Sequence, residues 1–499
     1  MVSHSTTVTF EGIRTKNIDV QVHIGKGLPS FTIVGLASKS VDESKERIKA
    51  TLAAIHMQLP PKKITVNLSP ANVHKAGSHY DLPIALAVLE AMQALPEHSF
   101  KDAIILGELA LDGSITPVHG VLPAAVNAVE QNKTLICPYA NGLEAQQADE
   151  NATIHAAKHI IDIIRLIKHK EPLPALPVST NITQPHYKDL ADIKGQAMAK
   201  RALEIAAAGG HNMLMTGPPG SGKSMLAERL AGILPAIHVK EKLEVGMIYS
   251  VSGHDENNTT QDQRPFRAPH HNCSMAAMTG GGKAAKPGEV SLAHGGVLFL
   301  DELPEFPRVV LDSLRQPLET QQVTIARAEN HITYPANFQL IAAMNPCKCG
   351  YLGDSMRECN KVPDCAQDYQ NRLSGPFLDR IDIHVQAPAL DPTTIYDATP
   401  SEASATVKQR VINARAVQHK RFENTEIHTN AQADGELLHA VAPLDETSKN
   451  LMKQTVTKMG LSMRGHNRVI RVARTIADLA GDAHITETHL AEAINYRQI

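Results

Sequence analysis

The sequence predicts an α/β protein with three parts: an N-terminal α/β domain, a central domain built on a parallel β-sheet, and a C-terminal helical domain. In the first part, runs of alternating apolar and polar residues predict half-buried strands between helices. In the central part, a short apolar strand leads through a glycine-rich loop into a helix, as in parallel α/β sheets. The last part has a helical period and few glycines or prolines.

Composition and period predict where these parts begin and end. We predict the N-terminal domain at 1–168, a proline-rich linker without periodicity at 169–186, the central domain at 187–391 and the helical domain at 392–499. In the first domain we expect strands at 18–24, 31–36, 64–68 and 135–138, helices at 41–55 and 82–95, and a hairpin over 104–118 that turns at Asp112-Gly113.

The composition is that of an ordinary globular protein and argues against several classes. Of 499 residues, 42% are hydrophobic and 20% charged, and the net charge is −3, so nucleic-acid contacts would have to come from local basic patches. Trp is absent and aromatic residues make up only 4%, which argues against a single-strand binder that stacks bases on rings. The N-terminus has no signal-peptide pattern and no apolar run is long enough to span a bilayer, which predicts a cytoplasmic protein without a membrane partner.

A phosphate-binding loop is the most specific motif in the chain. It follows an apolar strand at 213–216 and leads into a helix over 224–234, and its eight residues are Gly217, Pro218, Pro219, Gly220, Ser221, Gly222, Lys223 and Ser224. Backbone N–H groups of such a loop and the helix N-terminus bind the phosphates of ATP. Lys223 would reach the β- and γ-phosphates, and Ser224 would bind Mg²⁺.

The remaining catalytic groups of an ATPase are predicted downstream. The apolar run at 297–300 ends in Asp301, which would hold Mg²⁺, and Glu302, which would act as general base toward the attacking water. A further buried strand at 338–343 precedes Asn345, whose amide would polarise that water. The sequence therefore predicts hydrolysis of ATP and not only binding.

Several arginines are candidates for neutralising charge on the transferred phosphoryl group. Arg380 is the first candidate for a finger supplied to a neighbouring subunit and Arg372 the second, and a finger in trans implies a ring. One side of a predicted helix carries four more at helical spacing, Arg464, Arg468, Arg471 and Arg474. The alternatives are a salt-bridged surface arginine for the finger candidates and a solvated basic stripe for the helix.

Longer motifs resemble a known family. They are Arg264-Pro-Phe-Arg267-Ala-Pro-His270-His271, Pro287-Gly288-Glu289-Val-Ser-Leu-Ala-His294-Gly, Leu314-Arg-Gln-Pro-Leu-Glu319, Asn345-Pro-Cys347-Lys-Cys349-Gly350 and Arg474-Thr-Ile-Ala-Asp-Leu479. These strings are similar to the ComM/YifB family of magnesium-chelatase-like AAA+ ATPases. That family lies in the helix-2-insert clade with magnesium chelatase ATPase subunits and MCM helicases. The resemblance runs essentially from end to end.

The resemblance implies both an architecture and an activity. It implies a Lon-protease-like first domain (ribosomal S5 domain 2-like, ChlI-type), an AAA+ core and a helical lid of the Mg-chelatase C type. It also implies a homo-hexamer that uses ATP to translocate on single-stranded and branched DNA and promotes branch migration during natural transformation. Recombinase and other recombination proteins are then candidate partners. By the same resemblance Arg380 is the arginine finger and Arg464 the sensor-2 arginine, with Arg468 and Arg471 as alternatives.

Two segments of the central part are candidates for DNA contact. The stretch between the two nucleotide motifs is long enough for an insertion, in which 280–288 is predicted to be a flexible loop. Residues 323–334 are predicted to form a β-hairpin, and MCM-like motors place such hairpins in a central channel. The candidate contacts to the DNA backbone are Lys283, Lys286, Arg327 and His331. Ordinary solvated loop charges are the alternative.

A cysteine cluster predicts a metal site. Four thiols, Cys347, Cys349, Cys359 and Cys365, lie within 19 residues, enough for a tetrahedral Zn²⁺ site. The spacing is not the regular paired one. The resemblance implies a tighter second pair than the one here, which places Cys365 in question, and free thiols in a loop are the alternative. Because the cluster follows Asn345 directly, a metal there would brace the nucleotide sensor or a DNA-facing loop and would not perform catalysis.

The Lon-like first domain raises the possibility of a peptidase, which needs a serine activated by a lysine. Ser78 is displaced from the Lon serine position, and Leu122 falls where the Lon lysine is expected. We therefore predict a non-proteolytic domain that assembles the ring or contacts DNA. For the whole chain, the alternatives to a DNA motor are a chelatase-like motor that remodels a protein partner and a regulatory scaffold that only binds ATP.

Overall fold

The computed structural model describes residues 2–177, 187–253, 263–282, 285–326, 331–352, 361, 363–389 and 401–497. The chain divides into two compact units. The first comprises Met1–Thr183, Val239–Gln261 and Ala328–Tyr334, and the second Gln184–His238, Asp262–Arg327 and Pro335–Ile499. A segment between the two nucleotide motifs therefore belongs to the same unit as the N-terminal part of the chain.

The described strands and helices are numbered in chain order. The strands are β1 (Val2–Glu11), β2 (Arg14–Gly25), β3 (Ser30–Val34), β4 (Lys63–Ser69), β5 (Ala103–Ile105), β6 (Glu108–Leu109), β7 (Ile115–Thr116), β8 (Thr134–Pro138), β9 (Ile154–Ala157), β10 (Met213–Thr216), β11 (Phe266–Arg267), β12 (Gly280–Gly281), β13 (Lys286–Pro287), β14 (Val297–Leu300), β15 (Gln322–Ala326), β16 (His331–Pro335), β17 (Gln339–Met344) and β18 (Ile383–Gln386). The helices are α1 (Lys39–Ala54), α2 (Asp81–Ala91), α3 (Val121–Glu130), α4 (Gly142–Ala145), α5 (Ile160–His169), α6 (Ala197–Gly209), α7 (Lys223–Ile233), α8 (Val239–Ser252), α9 (Met275–Thr279), α10 (Glu289–Leu292), α11 (Arg308–Ser313), α12 (Arg315–Thr320), α13 (Asp364–Gln370), α14 (Gly375–Leu378), α15 (Ser404–Arg421), α16 (Gly435–Val441), α17 (Glu446–Met459), α18 (Met463–Ala480) and α19 (Glu487–Asn495).

The first unit is built on a mixed seven-stranded sheet with the order β3-β4-β2-β1-β5-β8-β9. The predicted alternation in β2 is confirmed, because Ile18, Val20 and Val22 are fully buried while the residues between them are not. The predicted hairpin is also present, with β6 and β7 antiparallel. Helix α2 is almost entirely buried and lies over β1 and β2.

Strand β1 has no counterpart in the sequence-based predictions, and its composition explains why. One of its faces buries Ser3, Ser5, Thr7 and Thr9, and Val8 is the aliphatic residue buried on the other face. The hydroxyl of Ser3 donates to the carbonyl of Ala87 at 2.6 Å, and that of Ser5 donates to the carbonyl of Pro83 at 3.0 Å. A buried hydroxyl is tolerated when it is hydrogen-bonded, so Ser3 and Ser5 can lie in the interior without the hydrophobic alternation that identifies strands in a sequence.

Helix α8 comes from the insertion between the two nucleotide motifs, yet it contacts α3 of the N-terminal part. The carbonyl of Ser250 accepts from the backbone N–H of Gly120 at 3.0 Å, and its hydroxyl accepts from that of Leu122 at 3.3 Å. These bonds satisfy N–H groups at the N-terminal end of α3, which an isolated helix would leave unpaired. The insertion therefore supplies the N-terminal partner of a helix that precedes it by over a hundred residues.

The second unit contains a five-stranded parallel sheet with the order β11-β14-β17-β10-β18. Every residue of the central strand β17 is buried, as expected for a parallel strand covered on both faces. The C-terminal part, from α15 to α19, is helical and shares one hydrophobic core with α6, α7 and the sheet. The predicted α/β class with a parallel sheet and a helical C-terminal part is confirmed, whereas the predicted domain boundaries and the Lon-like layout stay predictions.

Two predicted loops are more regular than expected. Residues 280–288 are not simply a flexible loop, because β12 pairs antiparallel with β13 through Gly280 to Pro287 and Gly281 to Lys286. Two consecutive glycines allow this tight pairing in a segment whose composition suggests a linker. The hairpin predicted over 323–334 is present as the two-stranded sheet of β15 and β16.

Candidate functional site

The phosphate-binding loop connects β10 to α7, which begins at Lys223. Only glycine fits at its first position, because a Cβ on Gly217 would lie 2.0 Å from the carbonyl oxygen of Ala387. The carbonyl of Ser221 accepts a hydrogen bond from the Gln196 amide at 3.0 Å. The loop is thus held from the β18 side and from the start of α6, so its backbone N–H groups are preorganised at the carboxyl end of the sheet, where α/β proteins bind ligands.

Lys223 is buried within this loop. Its ammonium group donates to the carbonyls of Gly217 and Pro218, both at 2.8 Å, and lies 3.3 Å from Oδ1 of Asn345. Burial lowers the pKa of Lys223, and the negative charge of Asp301 opposes that shift. Lys223 and Asn345 are 122 positions apart in the chain, and the adjacent strands β10 and β17 bring them together.

Ser224 and Asp301 also meet at the carboxyl end of the sheet. The hydroxyl of Ser224 donates to Oδ2 of Asp301 at 2.6 Å. Asp301 follows β14, which is separated from β10 by β17 alone. A serine hydroxyl and a carboxylate at this distance are oxygen ligands that one Mg²⁺ ion can share with nucleotide phosphates. The two residues predicted as magnesium ligands are therefore neighbours.

Glu302 follows Asp301 and has an unusual backbone. Its φ is 51° and its ψ 46°, in the left-handed region, and its side chain is 54% exposed. Oε2 of Glu302 lies 3.3 Å from Nδ1 of His271. The ring of His271 is tilted against that of His270 and meets Phe306 edge to face. His271 was not predicted as a site residue, although the His270-His271 pair lies within one of the strings that resemble the family.

The two finger candidates are both held within their own chain. Arg380 is nearly buried, pairs with Glu319 and donates to the carbonyl of Arg315 at 3.2 Å. Burial lowers the pKa of Arg380, Glu319 opposes the shift, and the positive charges of Arg315, Arg464 and Arg468 add to it. Arg372 pairs with Glu305 at 3.0 Å and is 43% exposed. The guanidinium of Arg380 would have to leave Glu319 to act on a neighbour.

The arginines of α18 have four different environments. Arg468 pairs with Asp382, Arg471 with Asp434 at 2.9 Å, and the buried Arg474 with Asp478 at 2.9 Å. The alternative of a solvated basic stripe is therefore wrong for these three, because carboxylates from outside and within the helix neutralise them. Arg464 is exposed, and its charge acts on Arg380.

A buried polar cluster around Asp382 was not predicted. The carboxylate of Asp382 accepts from the backbone N–H of Asn212 at 3.0 Å, and Nδ1 of His211 lies 3.7 Å away. Nε2 of His211 is 2.7 Å from the hydroxyl of Thr475 on α18. Burial by itself would raise the pKa of Asp382. The charge of Arg468 and the interaction of the Asp382 carboxylate with His211 instead hold this pKa below its usual range. The cluster joins the start of β10 and the segment before β18 to the helical C-terminal part.

Three of the four predicted metal ligands lie together. The sulfur atoms of Cys347, Cys349 and Cys365 are within 4.8 Å of one another, and the first two are 3.1 Å apart. Around a tetrahedral Zn²⁺ with bonds of about 2.3 Å, sulfur atoms are separated by about 3.8 Å, so the three thiols fit this ion. Cys359 lies outside the described residues. Cys365 was the doubtful ligand by spacing, and the first turns of α13 bring it to the other two.

The DNA-contact candidates divide in two. Lys286 is exposed in β13, and His331 is exposed at the first position of β16. Lys283 and Arg327 lie outside the described residues.

In the first unit, the hydroxyl of Ser78 donates to Glu108, and Lys75, the lysine three residues before it, donates to the carbonyl of Pro70. This arrangement does not activate the serine in the way that a Ser-Lys dyad would. Among the described residues, no helix is both long and apolar enough to cross a bilayer.

Comparisons with known proteins identify the family of the chain. Profiles of the magnesium chelatase family match three parts of the chain: "Magnesium chelatase, subunit ChlI" matches 189–395, "Subunit ChlI of Mg-chelatase" matches 20–141, and "Magnesium chelatase, subunit ChlI C-terminal" matches 401–497. "Competence protein ComM" of Haemophilus influenzae is 41% identical over 97% of this chain and 95% of its own length. "Uncharacterized protein YifB" of Escherichia coli is 42% identical over 98% and 95%, and a Mycobacterium tuberculosis relative is 36% identical over 99% and 98%.

The parallel sheet, the phosphate-binding loop and the acidic pair after β14 define an ATPase of the magnesium-chelatase-like AAA+ class, which uses ATP and Mg²⁺. Within that class, the chain belongs to the ComM/YifB family.

Proposed function

We propose that this protein forms a homo-hexameric ring that hydrolyses ATP between subunits and uses the energy to translocate on DNA. Its substrates would be single-stranded and branched DNA, and its role would be branch migration of recombination intermediates, as in natural transformation. One observation supports the motor chemistry above all others: Lys223, Ser224, Asp301 and Asn345 converge at one edge of the parallel sheet.

Each of these residues would have a distinct part in hydrolysis. Lys223 would stabilise charge on the β- and γ-phosphates, and Ser224 with Asp301 would hold Mg²⁺. Glu302 would accept the proton of the attacking water, and Asn345 would orient that water. Arg380 would neutralise charge on the phosphate bound by a neighbouring subunit, and Arg464 would contact phosphate as the sensor-2 arginine.

Two observations support DNA as the track. A relative that matches this chain over nearly its whole length is named a competence protein. In addition, β12 with β13 and β15 with β16 form two short two-stranded sheets, and each presents an exposed basic residue, Lys286 and His331. Basic side chains on such sheets would contact phosphates without reading sequence.

We also propose Zn²⁺ as a structural ion at the cysteine cluster. Thiolates are its preferred ligands, and three of the predicted four lie within 4.8 Å of one another.

The test combines ATP turnover with strand separation on a labelled four-way junction. We expect the junction to stimulate ATP turnover several-fold, and Lys223→Ala to abolish both turnover and strand separation. Glu302→Gln should still bind ATP but hydrolyse it about 10²–10⁴-fold more slowly, because it lacks the general base. Lys188→Ala is the matched control, since this exposed lysine pairs with Glu228 at the protein surface.

The outcomes separate the alternatives. ATP turnover that DNA does not stimulate, together with no strand separation, would contradict the DNA motor and favour remodelling of a protein partner. Absence of any ATP turnover by the intact chain would favour a scaffold that only binds ATP.

A further inference from the structure

The cysteine cluster lies against the phosphate-binding loop. Cys347 and Cys349 belong to the segment that leaves β17 at Asn345, and this segment continues to Gly350. Its two ends both contact the phosphate-binding loop, and the cysteines are located between those ends.

The first contact is polar. Oδ1 of Asn345 lies 3.3 Å from the ammonium group of Lys223. Asn345 is only two residues before the fully buried Cys347. A displacement of the cysteine segment would therefore move the amide that faces the lysine of the phosphate-binding loop.

The second contact is steric. Gly350 has a φ of 86°, and a Cβ placed on it would lie 2.6 Å from Cδ and 2.7 Å from Cγ of Pro219. Pro219 is in the middle of the phosphate-binding loop. The backbone N–H of Gly350 donates to the carbonyl of Cys347 at 3.0 Å, which ties this close approach to the cysteine turn.

The cysteine segment also contacts α13. This helix contributes Cys365, and its last residue, Gln370, donates a side-chain hydrogen bond to the carbonyl of Pro346 at 3.1 Å. A metal ion bound by Cys347, Cys349 and Cys365 would add a second link between α13 and the segment. The segment would then be held both by α13 and by the phosphate-binding loop.

We propose that a thiophilic divalent metal ion at Cys347, Cys349 and Cys365 controls nucleotide affinity by holding the 345–350 segment against the phosphate-binding loop. The proposal rests on the nucleotide site of the proposed function and adds a means of regulation to it. In the metal-bound protein, Asn345 and Gly350 keep the loop in the shape that receives phosphate. After loss of the metal, α13 keeps its hydrogen bond to Pro346 but loses the link through the thiolates, and the loop loses that support.

The test measures nucleotide binding and metal content separately on the full chain. A fluorescent ADP analogue reports the dissociation constant, and elemental analysis reports zinc per chain. We expect about one zinc per chain, and an increase in the dissociation constant of about tenfold after chelation that added Zn²⁺ reverses. Cys349→Ser should reproduce the chelated state and should not respond to added Zn²⁺.

Gly350→Ala provides an independent test, because it leaves every cysteine in place. Its Cβ would press on Pro219, so we expect retained zinc together with weakened binding of the ADP analogue. Cys273→Ser is the matched control, since this half-buried thiol lies outside the cluster, and it should change neither zinc content nor the dissociation constant. Thermal unfolding of each variant separates local effects from loss of the fold.

Three results would overturn the inference. One is a chain that contains no zinc and takes up none; another is a folded, metal-free chain whose affinity for the ADP analogue is unchanged. A third is a Gly350→Ala variant that binds the analogue as the unmodified chain does. If the zinc-loaded chain binds no nucleotide at all, the proposed function fails together with this inference, which distinguishes that failure from the other three.

Discussion

Nδ1 of His271 lies 3.3 Å from Oε2 of Glu302, the residue that we propose as the general base. The two residues follow neighbouring strands, since β11 and β14 are parallel partners. Glu302 also has left-handed backbone angles, which cost a residue other than glycine about 1–3 kcal/mol. Such a conformation persists only when its surroundings hold it. The Glu302 backbone N–H donates to Oδ1 of Asp301 at 2.9 Å, its carbonyl accepts from the backbone N–H of Glu305 at 2.8 Å, and His271 contacts the carboxylate at its other end. We regard His271 as a positioning residue for Glu302.

Replacement of His271 by Ala is expected to lower kcat for ATP hydrolysis about ten- to hundredfold and to leave KM within about twofold, because a misplaced base affects the chemical step and not ATP binding. Steady-state ATPase kinetics measure both constants. His270→Ala is the control. The ring of His270 contacts the ring of His271, but the side chain that lies beside the Glu302 carboxylate is that of His271. Equal losses in kcat and in ATP affinity would show that His271 has a general structural role instead.

Mixing two inactive variants is expected to restore ATP turnover. Subunits with Lys223→Ala keep Arg380, and subunits with Arg380→Ala keep an intact phosphate-binding loop, so an interface between them would contain one complete site. Turnover is measured for each variant alone and for the mixture. Arg372→Ala should keep most of its activity, because Arg372 forms a partly exposed ion pair with Glu305. A mixture no more active than its components would contradict a finger supplied in trans.

Arg464 and Arg468 should respond differently to removal. Arg468→Ala leaves the buried carboxylate of Asp382 without its arginine, which is expected to lower the free energy of unfolding by about 3–5 kcal/mol. Arg464→Ala removes an exposed side chain and should change stability by at most about 0.5 kcal/mol, while ATP turnover falls. Denaturant unfolding and ATPase assays on both variants test this. Full activity in Arg464→Ala would exclude it as the sensor-2 arginine.

Stability should fall between pH 7 and pH 5, in part because of His79. Burial lowers the pKa of His79 to about 4, with the carbonyl of Val8 opposing the shift, whereas the unfolded chain has the ordinary value of about 6.5. The unfolded chain therefore takes up a proton that the folded chain excludes. The contribution of the neutral His79 to the free energy of unfolding is present above about pH 6.5 and is lost as the pH falls toward 4. Over pH 7 to 5 this loss amounts to about 2 kcal/mol.

The measurement is denaturant unfolding at both pH values for the unmodified chain and for His79→Gln. Between pH 7 and pH 5, the free energy of unfolding of the variant should fall by about 2 kcal/mol less than that of the unmodified chain. His169→Gln, which replaces an exposed histidine at the end of α5, should retain the pH dependence of the unmodified chain. If the stability of His79→Gln depends on pH as that of the unmodified chain does, His79 does not contribute to the loss of stability on acidification.

The parts of the site that could be predicted lie in short continuous stretches. Residues 217–224 and the pair Asp301-Glu302 each follow a strand, and the strand–loop–helix pattern around them is local. Strand β2 was predictable because its aliphatic residues alternate, whereas β1 was missed because one of its buried faces carries hydroxyl side chains. The cysteine cluster was predicted from spacing, but only the fold brings Cys365 to the other two thiols.

The sequence by itself determined the chemistry available to this protein: a phosphate-binding loop, an acidic pair for Mg²⁺ and water, and a set of soft metal ligands. Only the tertiary structure decided which groups act on one another. Glu302 lies beside His271, Asp382 lies between His211 and Arg468, and Gly350 lies against Pro219. The physical reason is that motifs depend on local backbone geometry, whereas these contacts join residues that are close only after parallel strands and helices have packed together.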